Sequence, residues 1–314
     1  MTLRPEQRIG AVFPQTELGA DPVVLRDYAQ AAEALGYTHI APFDHVLGGD
    51  PAVHTDFRML YTFEEMFHEP FCLFGYLAAC TTTLEFATGI MILPQRDTYL
   101  TAKQAAQVDV LSNGRMRLGV AVGWNPVEYE GLGRDWKTRG RMIEEQIVLM
   151  RRLWTEDLVD FTGEFHEIHD AGINPLPVQR PIPVWLGGMA EPVIKRVGAL
   201  ADGWFPRFPS LNQRGHAEVM PRRYDEPKEI VARMHGYARE AGRDPSDIAI
   251  EGRVFVPNRT PEKWKAEWDA WKSIGATHMQ VYCSEEGLDA DGHIAALRDF
   301  AEEAGGWQGS KEPA

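Results

Sequence analysis

Phe43-Asp44-His45 closes a short apolar run and sets a carboxylate beside an imidazole. Such a pair can hydrogen-bond a ligand and move a proton near neutral pH. A structural histidine at the head of a long loop is the competing reading. Trp185-Leu186-Gly187-Gly188-Met189-Ala190 ends another apolar run and leads into a helix opened by Glu191-Pro192. Glycines there let backbone N–H groups approach an anion at a helix N-terminus, as in a phosphate cradle, although a tight strand-to-helix turn uses the same residues. Gly123-Trp124-Asn125 offers a flat aromatic and an amide, either a ligand platform or a packed core tryptophan. Ile90-Met91-Ile92-Leu93-Pro94-Gln95-Arg96 forms an apolar shelf whose simplest use is core. Trp264, Trp268 and Trp271 recur at helical spacing and read as helix packing or a subunit contact. His54, His68, His166 and His169 lack ligand spacing, and Phe13-Pro14-Gln15 ends the first strand without paired histidines. No metal is expected.

Side chains of this kind act together only if a scaffold converges them. The chain has 314 residues, 44% hydrophobic and 25% charged, which excludes a disordered or fibrous protein. That length suits one large α/β domain over residues 1–308, followed by a polar tail at 309–314. Lys and Arg number 32 against 46 Asp and Glu, a net charge of −14. Such a polyanion gains nothing from nucleic acid or an anionic bilayer, so neither is an expected partner. Cys72, Cys80 and Cys283 cannot all pair and read as reduced, buried thiols. The first residues carry no apolar stretch of signal length, so a soluble cytoplasmic protein is expected.

The rhythm along the chain is apolar strand, polar turn, amphipathic helix. Strands are predicted at 8–14, 38–43, 84–93, 116–123, 182–187, 201–206, 248–257 and 278–283. Most are continuous apolar runs, as a parallel sheet covered on both faces requires. Helices are predicted from Asp21-Pro22 to Gly36, then at 71–80, 98–111, 139–154, 191–200, 227–241, 261–274 and 288–304. Eight alternating units with right-handed crossovers close into a (β/α)8 barrel. A doubly wound sheet would want a glycine-rich turn after its first strand, and Phe13-Pro14-Gln15-Thr16-Glu17 has none. Long connections at 46–70, 124–138 and 207–226 follow strands, so these insertions lie on the C-terminal face where barrel enzymes build sites. A fourth, 155–181, contains a predicted surface hairpin at 159–169.

Residues 89–98 (GIMILPQRDT), 109–115 (DVLSNGR) and 118–125 (LGVAVGWN) are similar to the bacterial luciferase-like oxidoreductases. Asp44-His45, Gly163–His166, Pro181–Gly188 and Ala201–Trp204 extend the resemblance from about residue 8 to 206, and the last third is generic. The resemblance implies a TIM barrel with a flavin, or the deazaflavin coenzyme F420, across its C-terminal mouth. Asp44-His45 and the Trp-Leu-Gly-Gly turn look most like the F420 branch. There the resemblance puts Asp44 against the ring and His45 beside its hydride-carrying face. Phe13, Ile90 and Met91 would support the cofactor, Trp124 and Asn125 the substrate side, and Gly187, Gly188 and Met189 the phosphate. It also implies a non-proline cis peptide between Gly89 and Met91. The sugar-phosphate branch carries a carboxylate where this chain has Trp124, with Glu128 a turn further on, and no lysine and arginine set for a substrate phosphate is evident.

The expectation is therefore an F420-dependent oxidoreductase acting on a small apolar organic substrate, with His45 as proton donor or acceptor. Phe57, Tyr61, Phe63 and Phe67 of the 46–70 loop would form a lid. An FMN-dependent monooxygenase on the same fold and a non-catalytic flavin- or metabolite-binding barrel are the alternatives. The resemblance also implies a homodimer.

Overall fold

Continuous apolar strands demand cover on both faces, and here a closed ring of strands receives it from side chains within and helices without. The computed structural model describes residues 3–57, 59–208, 211, 226–284 and 287–307. Its strands are β1 (Ile9–Val12), β2 (His39–Ala41), β3 (Glu85–Ala87), β4 (Met91–Ile92), β5 (Met116–Ala121), β6 (Val159–Thr162), β7 (Glu167–Ala171), β8 (Val184–Gly187), β9 (Gly203–Phe205), β10 (Ala249–Phe255) and β11 (His278–Tyr282). Parallel pairing runs β3-β2-β1-β11-β10-β9-β8-β5, and β5 pairs back to β3 and β4 to close the ring. The eight expected staves are present, with β3 and β4 as two halves of one. The antiparallel β6–β7 pair is the expected hairpin. Most of the 207–226 connection and the polar tail lie outside the described residues.

The outer helices are α2 (Pro22–Ala34), α3 (Pro70–Cys80), α4 (Thr98–Leu111), α6 (Arg139–Thr155), α7 (Glu191–Leu200), α8 (Pro227–Glu240), α9 (Pro261–Lys272) and α10 (Ala290–Ala304). Two short helices, α1 (Gln15–Leu18) and α5 (Pro126–Gly131), follow β1 and β5 on the C-terminal face and were not anticipated. Local chemistry sets the ends. Asp21 accepts from the Val23 amide and Pro22 occupies the first turn of α2, while Asn113 and Gly114 take positive φ after α4. On α9, Trp264, Trp268 and Trp271 are all buried, and the indoles of Trp264 and Trp271 donate to the Val256 and Arg253 carbonyls. The stripe is used in helix packing, the first of the two readings expected of it. The cysteines need a similar correction: all are free, but Cys72 is exposed and Cys80 half-buried, and only Cys283 lies in the core. No described helix is long and apolar enough to cross a membrane.

One irregularity shapes the mouth. Phe86 pairs with Met116 and Met91 with Val120, so the third stave carries one residue more than its partner over that span. The surplus is a bulge at Thr88-Gly89-Ile90 containing the cis Gly89–Ile90 bond that the resemblance implies. Thr88 bridges the gap, its hydroxyl donating to the Gly119 carbonyl (2.6 Å) and accepting from the Gly119 amide (2.8 Å).

The opposite end of the barrel is ionic, which apolar strand patterns do not announce. His39, Arg117 and Glu251 enter near the starts of β2, β5 and β10 and are all buried. Glu251 lies 2.7 Å from His39 Nε2 and 2.9 Å from Arg117 Nη1, and the Arg117 guanidinium stacks 4.3 Å from the Trp185 ring. Burial alone would raise the Glu251 carboxyl, but Arg117 and then His39 hold it down at about 2. Burial, with Arg117 adding to it, pushes His278 down to about 3. A carboxyl depressed in the folded state contributes stability above its unfolded value and loses it as pH falls through the folded one. Glu251→Gln should therefore lower unfolding free energy by about 3–5 kcal/mol at pH 7, because it strands Arg117. In urea titrations that deficit should close as pH drops from 4.5 towards 2, and a deficit independent of pH would contradict the ionised assignment.

Candidate active site

The chain reaches the mouth first at the end of β2, where Asp44 and His45 diverge. Asp44 is buried and paired with Arg96, whose Nη2 lies 2.7 Å from Oδ1 and whose Nε donates to Oδ2 at 3.3 Å. Oδ2 also accepts from the Ile92 amide at 3.3 Å, tying β2 to the upper half of the bulged stave. Burial pushes the Asp44 carboxyl up against the pull of Arg96. Arg96 is in turn shared with Glu69, which caps α3 through the Cys72 amide. Asp44 is thus a girder between three elements, already engaged on both oxygens.

His45 faces the other way. Its Nδ1 lies 3.2 Å from Glu128 Oε1, and that oxygen also accepts from the Val46 and Leu47 amides at 2.9 and 3.3 Å. Gln95 donates to Glu128 Oε2 at 3.4 Å. Burial would raise the Glu128 carboxyl, but the hydrogen bond from His45 and those from the two amides hold it below the usual range. An ionised acceptor at Nδ1 assigns the hydrogen there and leaves Nε2, which has no partner among the described residues, as the free ring nitrogen. Phe67, Tyr61 and Trp124 surround the imidazole at 4.8, 5.3 and 5.6 Å between ring centres. Phe57 packs on Trp124 at 6.2 Å. A cavity of ≈ 170 Å³ opens between His45 and the 46–67 loop. Tyr61, Phe63 and Phe67 line this cavity, Phe63 while 61% exposed, and Phe57 reaches it only through Trp124.

Across the mouth, the bulge turns Ile90 towards the end of β8. A Cβ at Gly187 would stand 3.1 Å from Ile90 Cγ2, so glycine is what lets Ile90 pack this closely against the end of β8. Gly188 has φ +125, a left-handed conformation that glycine favours, and its carbonyl accepts from the Trp204 indole at 2.9 Å. Helix α7 begins directly after, with Ala190 at its cap and no side chain satisfying its first amides. The Ile90–Gly187 contact thus adjoins the N-terminus of α7, the kind of end that can receive an anion.

Other expected site residues are placed differently. Phe13 and Met91 turn fully into the core, Phe13 packing edge-on against Tyr28 with its amide donating to the Ala41 carbonyl and its carbonyl accepting from the Gln15 amide. Asn125 is buried and spends Oδ1 on the Val127 amide as the cap of α5. Met189 is largely buried in the core and offers its amide rather than its side chain. Arg96, Gln95 and Glu128 are the positions that residue typing missed as site residues. Glu128 had a signal: Pro126 after Asn125 starts a helical turn that brings position 128 back towards His45.

A closed parallel barrel whose strand ends converge on an imidazole, an apolar shelf and a helix N-terminus defines an enzyme-type (β/α)8 scaffold. The sequence model of the luciferase-like monooxygenase family matches residues 10–311, and the chain belongs to that family. The match extends through the last third, which sequence reading left as generic. An uncharacterised protein of Mycobacterium tuberculosis (strain ATCC 25618 / H37Rv) is 34% identical over 247 residues, 76% of this chain and 80% of that protein. An F420-dependent glucose-6-phosphate dehydrogenase of Amycolatopsis mediterranei (strain U-32) is 33% identical over 189 residues, 58% of this chain and 53% of the relative. Two solved structures share the fold: monooxygenase RslO1 from Streptomyces bottropensis (TM-score 0.75, 16% identity, 94% and 98% of the two chains) and an F420-dependent secondary alcohol dehydrogenase in complex with an F420-acetone adduct (TM-score 0.72, 18% identity, 97% and 99%).

Glu128→Gln replaces an acceptor by a group that points N–H at donors. It should cost about 1–3 kcal/mol and speed amide hydrogen exchange at Val46 and Leu47 by at least about tenfold. Unchanged exchange at both amides would show that Glu128 does not anchor the start of the lid.

Proposed function

We propose that the chain is a coenzyme F420-dependent oxidoreductase that transfers a hydride between the deazaflavin and a small organic substrate. The observation that carries this reading is the His45–Glu128 pair, caged by aromatic rings beside the Ile90 shelf and the Gly187-Gly188 turn. The F420-dependent relative and the F420-dependent alcohol dehydrogenase fold add support. The bound deazaflavin supplies the hydride chemistry.

The protein's part is orientation, a proton and dryness. Glu128 fixes the imidazole so that Nε2 can give or take a proton at the reacting atom. Asp44, clamped by Arg96, fixes the end of β2 and with it the direction of His45. Ile90 would support the ring, and the amides of Gly187, Gly188 and Met189 would hold the phosphate. Trp124 and Asn125 would border the substrate side, and the 46–67 loop would exclude water.

A second reading keeps the site but binds reduced FMN and activates oxygen, in line with the RslO1 fold likeness. The third is a barrel that binds cofactor without turnover. Spectroscopic titration with F420 and FMN separates them: F420 is expected to bind about tenfold more tightly or better, with no oxygen uptake from reduced FMN beyond the protein-free rate. Preferential FMN binding with oxygen uptake would establish the monooxygenase instead. Against a panel of small carbonyl acceptors and reduced F420, His45→Ala should keep cofactor affinity and lose turnover by a factor on the order of 10²–10⁴. Equal turnover in parent and variant would remove His45 from the mechanism.

A further inference from the structure

The interior of the barrel holds a cation whose partnering differs from that of its neighbours. Arg96, Arg117, Arg196 and Arg259 each face a carboxylate. Arg115 and Arg243 instead saturate themselves on backbone carbonyls and a threonine hydroxyl. Arg253 on β10 has one acceptor, Gln280 Oε1 at 3.0 Å from Nη2, and no carboxylate within ion-pair distance among the described residues. Its guanidinium leans towards the strand ends, 5.2 Å from the Tyr282 ring and 5.7 Å from Phe43. Phe43 directly precedes Asp44-His45, and Tyr61, which packs on His45, lies close enough to act on the Arg253 charge. Burial, reinforced by the nearby Arg207 guanidinium, lowers Arg253 to about 10, which leaves it cationic at neutral pH.

A second arginine beside a half-satisfied one is unfavourable for the protein alone, since like charges in a low-dielectric setting repel. It becomes favourable once an anion arrives. Next to the guanidinium, Val12, Phe255 and Tyr282 form a buried apolar cluster against which Phe43 packs. A guanidinium with one edge held by Gln280 presents the remaining edge as a planar fork, which matches a carboxylate. We propose that Arg253, assisted by Arg207, receives the carboxylate of the substrate, so that this enzyme acts on a small aromatic or alkyl acid rather than a neutral molecule. This rests on the reading of the His45 mouth as the active site, and it replaces the apolar substrate expected from sequence.

The test uses the purified full chain without cofactor, at pH 7 and fixed ionic strength, with benzoate as probe. Calorimetric titration should give saturable benzoate binding, at least about tenfold weaker binding of its neutral isostere benzamide, and weaker binding of inorganic phosphate. Arg253→Met should weaken benzoate by at least about tenfold, and Arg207→Gln, an exposed change, by a few-fold. Tighter phosphate than benzoate would overturn the carboxylate assignment, as would equal binding of benzoate and benzamide. If Arg253→Met does not fold, Arg253→Lys and Arg207→Gln decide the matter, and parental benzoate affinity in both overturns the proposal. F420 affinity, measured in the same proteins, should be unaffected by these substitutions. Failure of the parent to bind F420 would count against the cofactor reading and leave the benzoate result to stand or fall separately.

Discussion

A carboxylate removed from water must collect donors, and Glu128 collects them from both sides of the mouth. One oxygen gathers the His45 ring and two successive amides at the start of the lid loop; the other takes Gln95 at the end of the shelf. Among the described residues, no other group joins those three pieces. The imidazole's tautomer, the departure angle of the lid and the position of the shelf are therefore one coupled problem with a shared electrostatic solution. A neutral group of the same shape could fill the space, but it could not accept from every donor that converges there.

The Asp44–Arg96 pair does related work one step deeper. A one-residue surplus in the third stave leaves the upper half, β4, out of phase with the lower half, β3. Asp44 takes up the Ile92 amide and Arg96 from beyond the bulge, so the displaced segment is fastened to β2. The bulge sends Ile90 close against Gly187 at the end of β8. Shelf and imidazole are then held by two separate carboxylates, each buried and each with its own cation or donors.

Much of the scaffold was legible because it depends on periodicity. Every stave and every outer helix lies within a few residues of where hydrophobic runs, Asp-Pro openings and Asn-Gly or Gly stops put it. Asp44-His45 and Gly187-Gly188 were legible for another reason: they end strands, and strand ends in a parallel barrel converge. What pattern could not convey is which way a side chain turns once there. Asn125 sits beside Trp124 in sequence yet caps a helix, and Met91 alternates out of the mouth because of the bulge. Arg96, Arg117, Glu128 and Arg253 each needed a partner 30 or more residues away, or a neighbouring strand's register, before their roles existed. Long-range charge pairing has no period, so it leaves no trace in a local window.

The distribution of charge ties these levels together. A chain carrying −14 overall would repel an anion at long range, yet two arginines sit at the strand ends. At physiological salt the screening length is about 8 Å, so the surface field fades within a few side-chain lengths while a partly buried guanidinium is screened far less. The overall charge then slows capture without deciding affinity, and the local geometry around Arg253 decides it. The ionic layer at the other end of the barrel has no such freedom, because Glu251 already balances Arg117 there. The same barrel thus holds one arginine that is matched by a carboxylate and another that, among the described residues, has only Gln280 as its acceptor. The difference between them is the presence of a protein carboxylate. On this argument, the missing carboxylate at Arg253 is the one the substrate brings.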